Sequence, residues 1–322
     1  MSDQPHERVL VTGAGGFIGH HLVTYLKQRG YWVRGVDSKY PEFTAVDADE
    51  FEIRDLRRWD DCLQATIGID HVYALAADMG GMGFISSNHA TILRNNALIN
   101  LHTLEAARLH GVARYFLSSS ACIYPEHLQA DEDVTALKEE DAYPANPQDA
   151  YGWEKLVAER LCTYYAGEFG MQTRVARFHN VYGPYCTYDG GREKAPAALC
   201  RKVAMAPPGG SVEIWGDGEQ TRSFCYVDDC VEGIYRLMHS DYREPLNIGS
   251  DELVTINELV QRIIDVSDKR GISLRHVEGP QGVRGRNSDN SRLRQVLGWE
   301  PNVPLETGLA ETYRWIDKQV NR

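Results

Sequence analysis

RVLVTGAGGFIG, residues 8–19, decides how the rest of the chain is read. Arg8 to Thr12 is apolar and β-favouring, which predicts a strand. Glycines follow at 13, 16 and 19, spaced GxxGxxG, and HHLVTYLKQRG then carries apolar residues at helical spacing up to Gly30. In such a strand–turn–helix unit Gly13 permits the tight turn, Gly16 lets a pyrophosphate approach the backbone, and Gly19 lets helix and strand pack closely. The helix start, with Phe17 and Ile18, offers N–H groups to the pyrophosphate. A glycine pattern alone fits a structural turn equally well; its place between strand and helix favours a dinucleotide. The next strand, WVRGVD, ends on Asp37, whose carboxylate accepts from both ribose hydroxyls and repels a 2′-phosphate. NAD is therefore expected rather than NADP. Asp55, after FEI, is a second strand-end acid that could lie beside the adenine.

Further along, DHVYALAA (70–77), ARYFLSSSA (113–121) and QTRVARFHNVYGP (172–184) predict strands. Residues 88–110 predict a long helix closed by Gly111, and DAYGWEKLVAERLCTYYAGEFG (149–170) another closed by Gly170. Alternation of strands and helices predicts an α/β fold: a Rossmann-type doubly wound parallel sheet with right-handed crossovers. Beyond residue 183 glycine and proline become frequent, with one short helical piece before SFCYVDDCVEGIYRLM (strand, then helix) and NELVQRIIDVSDKRG (helix). The expected division is a Rossmann domain, 1–182, to which segments near 223–250 return, and a smaller, irregular C-terminal substrate domain, 183–322. The site is expected between them, beyond the carboxyl ends of the strands.

Composition narrows the function classes. The chain has 34 Lys and Arg against 46 Asp and Glu, a net charge of −12, which argues against a nucleic-acid partner. No apolar run approaches the roughly 20 residues that cross a bilayer. The opening MSDQPHERVLVTG has no secretory apolar segment, and the seven cysteines contain no CxxC pair. Reduced thiols, a cytoplasmic location and no zinc site are the expectations.

YGWEK places Tyr151 and Lys155 at i and i+4 on one helix face. A free phenol titrates near about 10, and a neighbouring ammonium and a nicotinamide cation would both lower it. Such a phenol can take the proton of an alcohol while the alcohol carbon is oxidised. Ser120, at the end of the Ser-rich strand, supplies a hydroxyl to orient that alcohol. Spacing alone would equally fit an ordinary amphipathic helix.

Together TGxxGxxG, SSSA and YxxxK resemble the short-chain dehydrogenase/reductase superfamily. VEIWGDGEQTRSFCYVDD and LGWEPNVPLETGLAETYRWI resemble its extended branch, which acts on nucleotide sugars. LAADMGGMGF, SSSACIYPE, PQDAYGWEKL, RFHNVYGP, GGREKAPAALCRK and GVRGRNSDN are similar, more narrowly, to the GDP-mannose 3,5-epimerases. That resemblance implies NAD-dependent oxidation of GDP-mannose at C4, inversion at C5 and C3, and reduction to GDP-L-galactose, with GDP-L-gulose from inversion at C5 alone. Another nucleotide-sugar epimerase or a 4,6-dehydratase is the alternative; Ala121-Cys122 stands where the dehydratases carry an acidic pair.

Inverting a carbon beside a ketone needs a base on one face and an acid on the other. Cys122 is a candidate because a nearby cation lowers a thiol's pKa; a small buried cysteine is the bland reading. By resemblance Lys194 is the opposing acid and Glu193 orients the sugar. The resemblance also implies that Gly80 lies in a flexible loop able to close over the sugar and that Asn180 contacts the diphosphate or sugar. Lys202, Gln220, Arg222 and Arg284 would bind the GDP part, arginine suiting a pyrophosphate through paired hydrogen bonds. A homodimer through helices including 88–110 and 150–168 is the implied assembly.

Overall fold

A computed structural model describes residues 7–321. Strands β1 (Arg8–Thr12), β2 (Trp32–Asp37), β3 (Glu50–Ile53), β4 (His71–Ala74), β5 (Arg114–Ser120) and β6 (Gln172–Phe178) join Leu246–Ile248 in one sheet. Its order is Leu246–Ile248, β6, β5, β4, β1, β2, β3, with every neighbouring pair parallel. The chain leaves β1 towards β2 and β3, then crosses back to β4 on its other side. Such a switch opens a crevice beyond the carboxyl ends of the strands.

Both faces of the sheet are buried, so its strands read as apolar runs. Val9 and Val11 pack with helix α1 (Phe17–Gln28) and the helix Val227–His239 on one face. Leu10 points the other way, towards the helices His89–Leu109 and Ala150–Phe169. Asp149 caps the second of these by accepting from the Gly152 amide at 2.9 Å. Gly170 closes it with φ +72°, as its sequence predicts.

Two strand expectations are corrected. Segment 70–77 leaves the sheet at Ala74, because the Thr12 hydroxyl takes the amides of Leu75 and Ala76, each at 3.1 Å. Segment 172–184 is not one strand: β6 ends at Phe178, Asn180 turns with φ +42°, and Val181–Tyr182 pairs instead with Cys225–Tyr226. The Asn180 amide donates to the Ser223 carbonyl at 2.9 Å and holds that turn. The short helix Trp59–Thr66 was not foreseen.

The second half of the chain is more regular than expected. Helices Ala195–Met205, Ile256–Val266 and Leu305–Val320 pack together beside two small sheets. In one, Gly285–Arg286 runs parallel to Thr221–Ser223 and sets Arg286 opposite Arg222. No helix of the described residues is long and apolar enough to cross a membrane.

Candidate active site

The glycine-rich turn is a cradle that side chains would fill. Gly13 has φ +72°, and a Cβ at Gly19 would lie 2.1 Å from the Gly13 carbonyl oxygen. Gly16 starts α1 without a side-chain cap, leaving the first-turn N–H groups, including those of Phe17 and Ile18, for an anion. Gly15, absent from the expected set, matters too: its amide donates to Asp37 Oδ2 at 3.0 Å, and a Cβ there would approach the Lys39 carbonyl to 2.7 Å. The turn and the strand-end acid are thus tied together in the arrangement a dinucleotide requires. Asp55 is paired with Arg57 at 2.7 Å, and that contact lowers its pKa.

Across the switch point, β5 and the helix Ala150–Phe169 bring the candidate catalytic residues to one corner. Lys155 is buried, and its ammonium donates to the Ser118 carbonyl at 2.9 Å, 5.7 Å from the Tyr151 ring centre. Burial lowers the Lys155 pKa, with Glu154 and Glu159 opposing. Tyr151 departs from expectation: burial, then Cys122, holds its phenol well above the usual range, and Ser120 pulls only weakly the other way. The lysine alone does not offset the loss of water around the phenol.

Ser120 ends β5 and accepts from the Cys122 amide at 3.2 Å, fixing the one-turn helix Ala121–Ile123. Gly152, next to Tyr151, lets this turn sit against the helix Ala150–Phe169: a Cβ there would be 2.1 Å from the Cys122 carbonyl oxygen. Cys122 is half-buried, whereas the other six cysteines are fully buried. Arg286 Nη1 donates to its sulfur at 3.4 Å, so a charge-assisted partner for a thiolate is in place. Lys194 is partly buried and its pKa is lowered by burial, with Cys122 the foremost opposing influence.

Arg286 is the residue that sequence reasoning missed. It lies in GVRGRNSDN, from which only Arg284 was singled out, and nothing in that string separates the two arginines. Arg284 is held on a rim by Asp217 at 2.8 and 2.9 Å and Glu132 at 2.9 Å, beside an open cleft of about 470 Å³. Arg222 and Arg286 form no carboxylate ion pair among the described residues. Arg222 donates to the carbonyls of Thr221 and Val283, and Arg286 to Gln129 Oε1. Burial, then Arg286, lowers the Arg222 pKa. Arg286 thus sets one guanidinium on the Cys122 thiol, with Arg222 opposite Arg286 in the small sheet, in a protein of net charge −12.

The remaining expected contacts are placed as follows. Lys202 donates to the Glu213 carbonyl at 2.8 Å. The Gln220 amide donates to the Trp215 carbonyl at 3.1 Å, and its buried Oε1 has no partner among the described residues. Glu193 accepts from the Gly191 amide at 2.7 Å. The segment around Gly80 is not a free loop: Met82–Ile85 is helical, and Gly81 donates to the Arg192 carbonyl at 3.1 Å. Glu7, His71 and His239 bring metal-type ligand atoms within 4.8 Å of one another. That group lies at the amino ends of β1 and β4, at the opposite end of the sheet from Ser120.

These features define a class. A family model described as "NAD dependent epimerase/dehydratase family" matches residues 9–249, and the chain belongs to that family, whose cofactor NAD fits the Gly13–Asp37 cradle. Within it, the chain is 53% identical over 317 residues to GDP-mannose 3,5-epimerase 1 of Oryza sativa subsp. japonica, covering 98% of this chain and 83% of the relative. It is 51% identical, with the same coverage, to GDP-mannose 3,5-epimerase of Arabidopsis thaliana. Among solved structures, the UDP-glucuronic acid 4-epimerase of Bacillus cereus in complex with UDP-glucuronic acid and NAD superposes with a TM-score of 0.82 at 27% identity. That match covers 97% of this chain and 99% of the other.

Proposed function

We propose that the protein is a GDP-mannose 3,5-epimerase in which Tyr151 handles the C4 hydroxyl while Cys122 and Lys194 exchange protons at C5 and C3. The observation that carries this reading is Cys122: a half-buried thiol beside Ser120 that accepts from Arg286 at 3.4 Å and interacts with Lys194. Bound NAD supplies the oxidation at C4 and its reversal. Ser120 orients the C4 hydroxyl, and Tyr151 takes its proton, the Lys155 ammonium favouring the phenolate. The resulting C4 ketone acidifies C3–H and C5–H. The Cys122 thiolate removes a proton from one face and the Lys194 ammonium delivers one to the other, leaving thiol and neutral amine. A second inversion with roles exchanged, or exchange with water, restores both. GDP-L-galactose is the product of double inversion, and GDP-L-gulose of inversion at C5 alone.

Arg222, Gln220, Lys202, Asn180 and Arg284 form the GDP side of the site in this reading, and Glu193 and Gly80 the sugar side. Residues 1–182, with segments near 223–250, hold NAD; residues 183–322 hold the nucleotide sugar. A homodimer is supported by exposed apolar side chains on two neighbouring helices: Leu93 and Leu101 on one, Trp153, Val157 and Tyr164 on the other. A cytoplasmic location is supported by seven unpaired cysteines.

Cys122→Ala tests the assignment. It is expected to keep NAD and GDP-mannose binding and oxidation at C4, followed as NADH absorbance, while epimerisation falls about 10²- to 10⁴-fold. Wild-type turnover in this variant removes Cys122 from the base role.

A further inference from the structure

The loop that carries Glu193 and Lys194 is fastened across the site to the segment 78–85 by a set of contacts that the chemistry above does not use. Asp78 is set first. Its amide donates to Asn96 Oδ1, its carbonyl accepts from Asn96 Nδ2 at 3.1 Å, and its Oδ2 accepts from Asn95 Nδ2 at 2.9 Å. Both asparagines are buried in the helix His89–Leu109. The other oxygen, Oδ1, accepts from Arg192 Nη1 at 3.0 Å, and the same nitrogen reaches the Met79 carbonyl at 3.4 Å. The Arg192 guanidinium also lies 3.8 Å from the centre of the Phe84 ring. Alongside, Gly81 N donates to the Arg192 carbonyl at 3.1 Å, and a Cβ at Gly81 would be 2.3 Å from the Glu193 carbonyl oxygen.

The fastened segment reaches the catalytic corner directly. Met79, Phe84 and Ile85 belong to one apolar cluster with Tyr151 and Cys122. An isolated ion pair with an arginine as exposed as Arg192, 49%, contributes little. Here the carboxylate is already held by the buried Asn95 amide and the Asp78 backbone by Asn96, the guanidinium is stacked as well as paired, and the adjoining backbones are hydrogen-bonded. We propose that Arg192 is a positioning residue, which clasps segment 78–85 to the loop 189–194 and thereby sets Lys194 against Cys122 for proton transfer. This rests on the roles of Cys122 and Lys194 proposed above. Arg192 touches no reacting atom in this account.

The test compares Arg192→Ala, Arg192→Lys, Asp78→Asn and Lys194→Ala as NAD-loaded full-length protein with GDP-mannose in D₂O. Deuterium entry at C5 and C3 is read by NMR, C4 oxidation by NADH absorbance, and amide exchange of residues 79–86 by mass spectrometry. Arg192→Ala and Asp78→Asn are expected to lower deuterium entry about tenfold, since small misplacements of reacting groups are costly. C4 oxidation falls much less, and amide exchange of 79–86 rises. Arg192→Lys, which keeps the charge without the stack, recovers part of the loss. Deuterium entry at the wild-type rate in Arg192→Ala overturns the clasp, and so does an equal loss of C4 oxidation and deuterium entry. If Lys194→Ala itself forms epimerised product at the wild-type rate, the clasp and the acid role of Lys194 both fall. If Lys194→Ala is inactive in exchange and Arg192→Ala is not, only the clasp falls.

Discussion

Cys122 differs from its six fully buried counterparts by its company rather than by its own chemistry. It sits on the turn that Ser120 fixes, and Arg286 from the second half of the chain donates to its sulfur, the company that the proposed proton transfer requires. Its position was legible in SSSACIYPE, whereas Arg286 reaches it from 164 residues away, a distance no local pattern spans. His179, whose ring lies 6.1 Å from that of Tyr124, carries the pH dependence that burial imposes. It is wholly buried, lies 3.1 Å from Asn247 Oδ1, and burial pushes its pKa down to about 3. An unfolded histidine takes its proton near about 6.5. Between those values the unfolded chain binds the extra proton and the folded one does not, so stability present above about pH 6.5 is lost as pH falls. From pH 7 to pH 5 this group alone is expected to cost about 2 kcal/mol. Urea unfolding at the two pH values checks it: His179→Asn should show a smaller loss than the wild type, and an equal loss contradicts the assignment.

At the level of elements, the helix Ala150–Phe169 does two jobs, presenting Tyr151 and Lys155 and receiving the Cys122 turn at Gly152. A Cβ at Gly152 would meet the Cys122 carbonyl oxygen at 2.1 Å, whereas one at Gly167, in the same helix, meets nothing within 4 Å. Alanine is the better helix former by about 1 kcal/mol, so Gly167→Ala is expected to raise the unfolding temperature. At Gly152 the overlap outweighs that gain: Gly152→Ala is expected to lower stability by about 1–3 kcal/mol and to impair turnover by displacing Cys122. Thermal unfolding of the pair decides, and equal shifts in the two variants contradict the close approach. Elements set by local chemistry were legible in advance: β1, α1 and the helix between Asp149 and Gly170 follow from apolar period, cap and glycine. The break after Phe178 was not, because it depends on Asn180 finding the Ser223 carbonyl. The docking of the segment around Gly80 depends likewise on Arg192, from another part of the chain.

Across the whole molecule, the parallel sheet gathers Asp37, Ser120 and the glycine-rich turn at the carboxyl ends of its strands. The small sheet of the second half brings Arg222 and Arg286 side by side to face them. A chain of net charge −12 thereby keeps a local group of cations next to its one partly accessible thiol. The dinucleotide half could be read from spacing and strand-end acids. The sugar contacts proposed beyond residue 183 could be read only through resemblance, since those residues come from segments with no common period. The two halves meet in a cycle that oxidises C4, exchanges protons on both flanking carbons and restores C4. The most direct measurement is an NMR time course of the NAD-loaded protein with GDP-mannose in D₂O. Deuterium is expected to enter the hexose at C5 and C3, with the C4 hydrogen retained. Epimerised product without deuterium at C5, or with deuterium at C4, would contradict it.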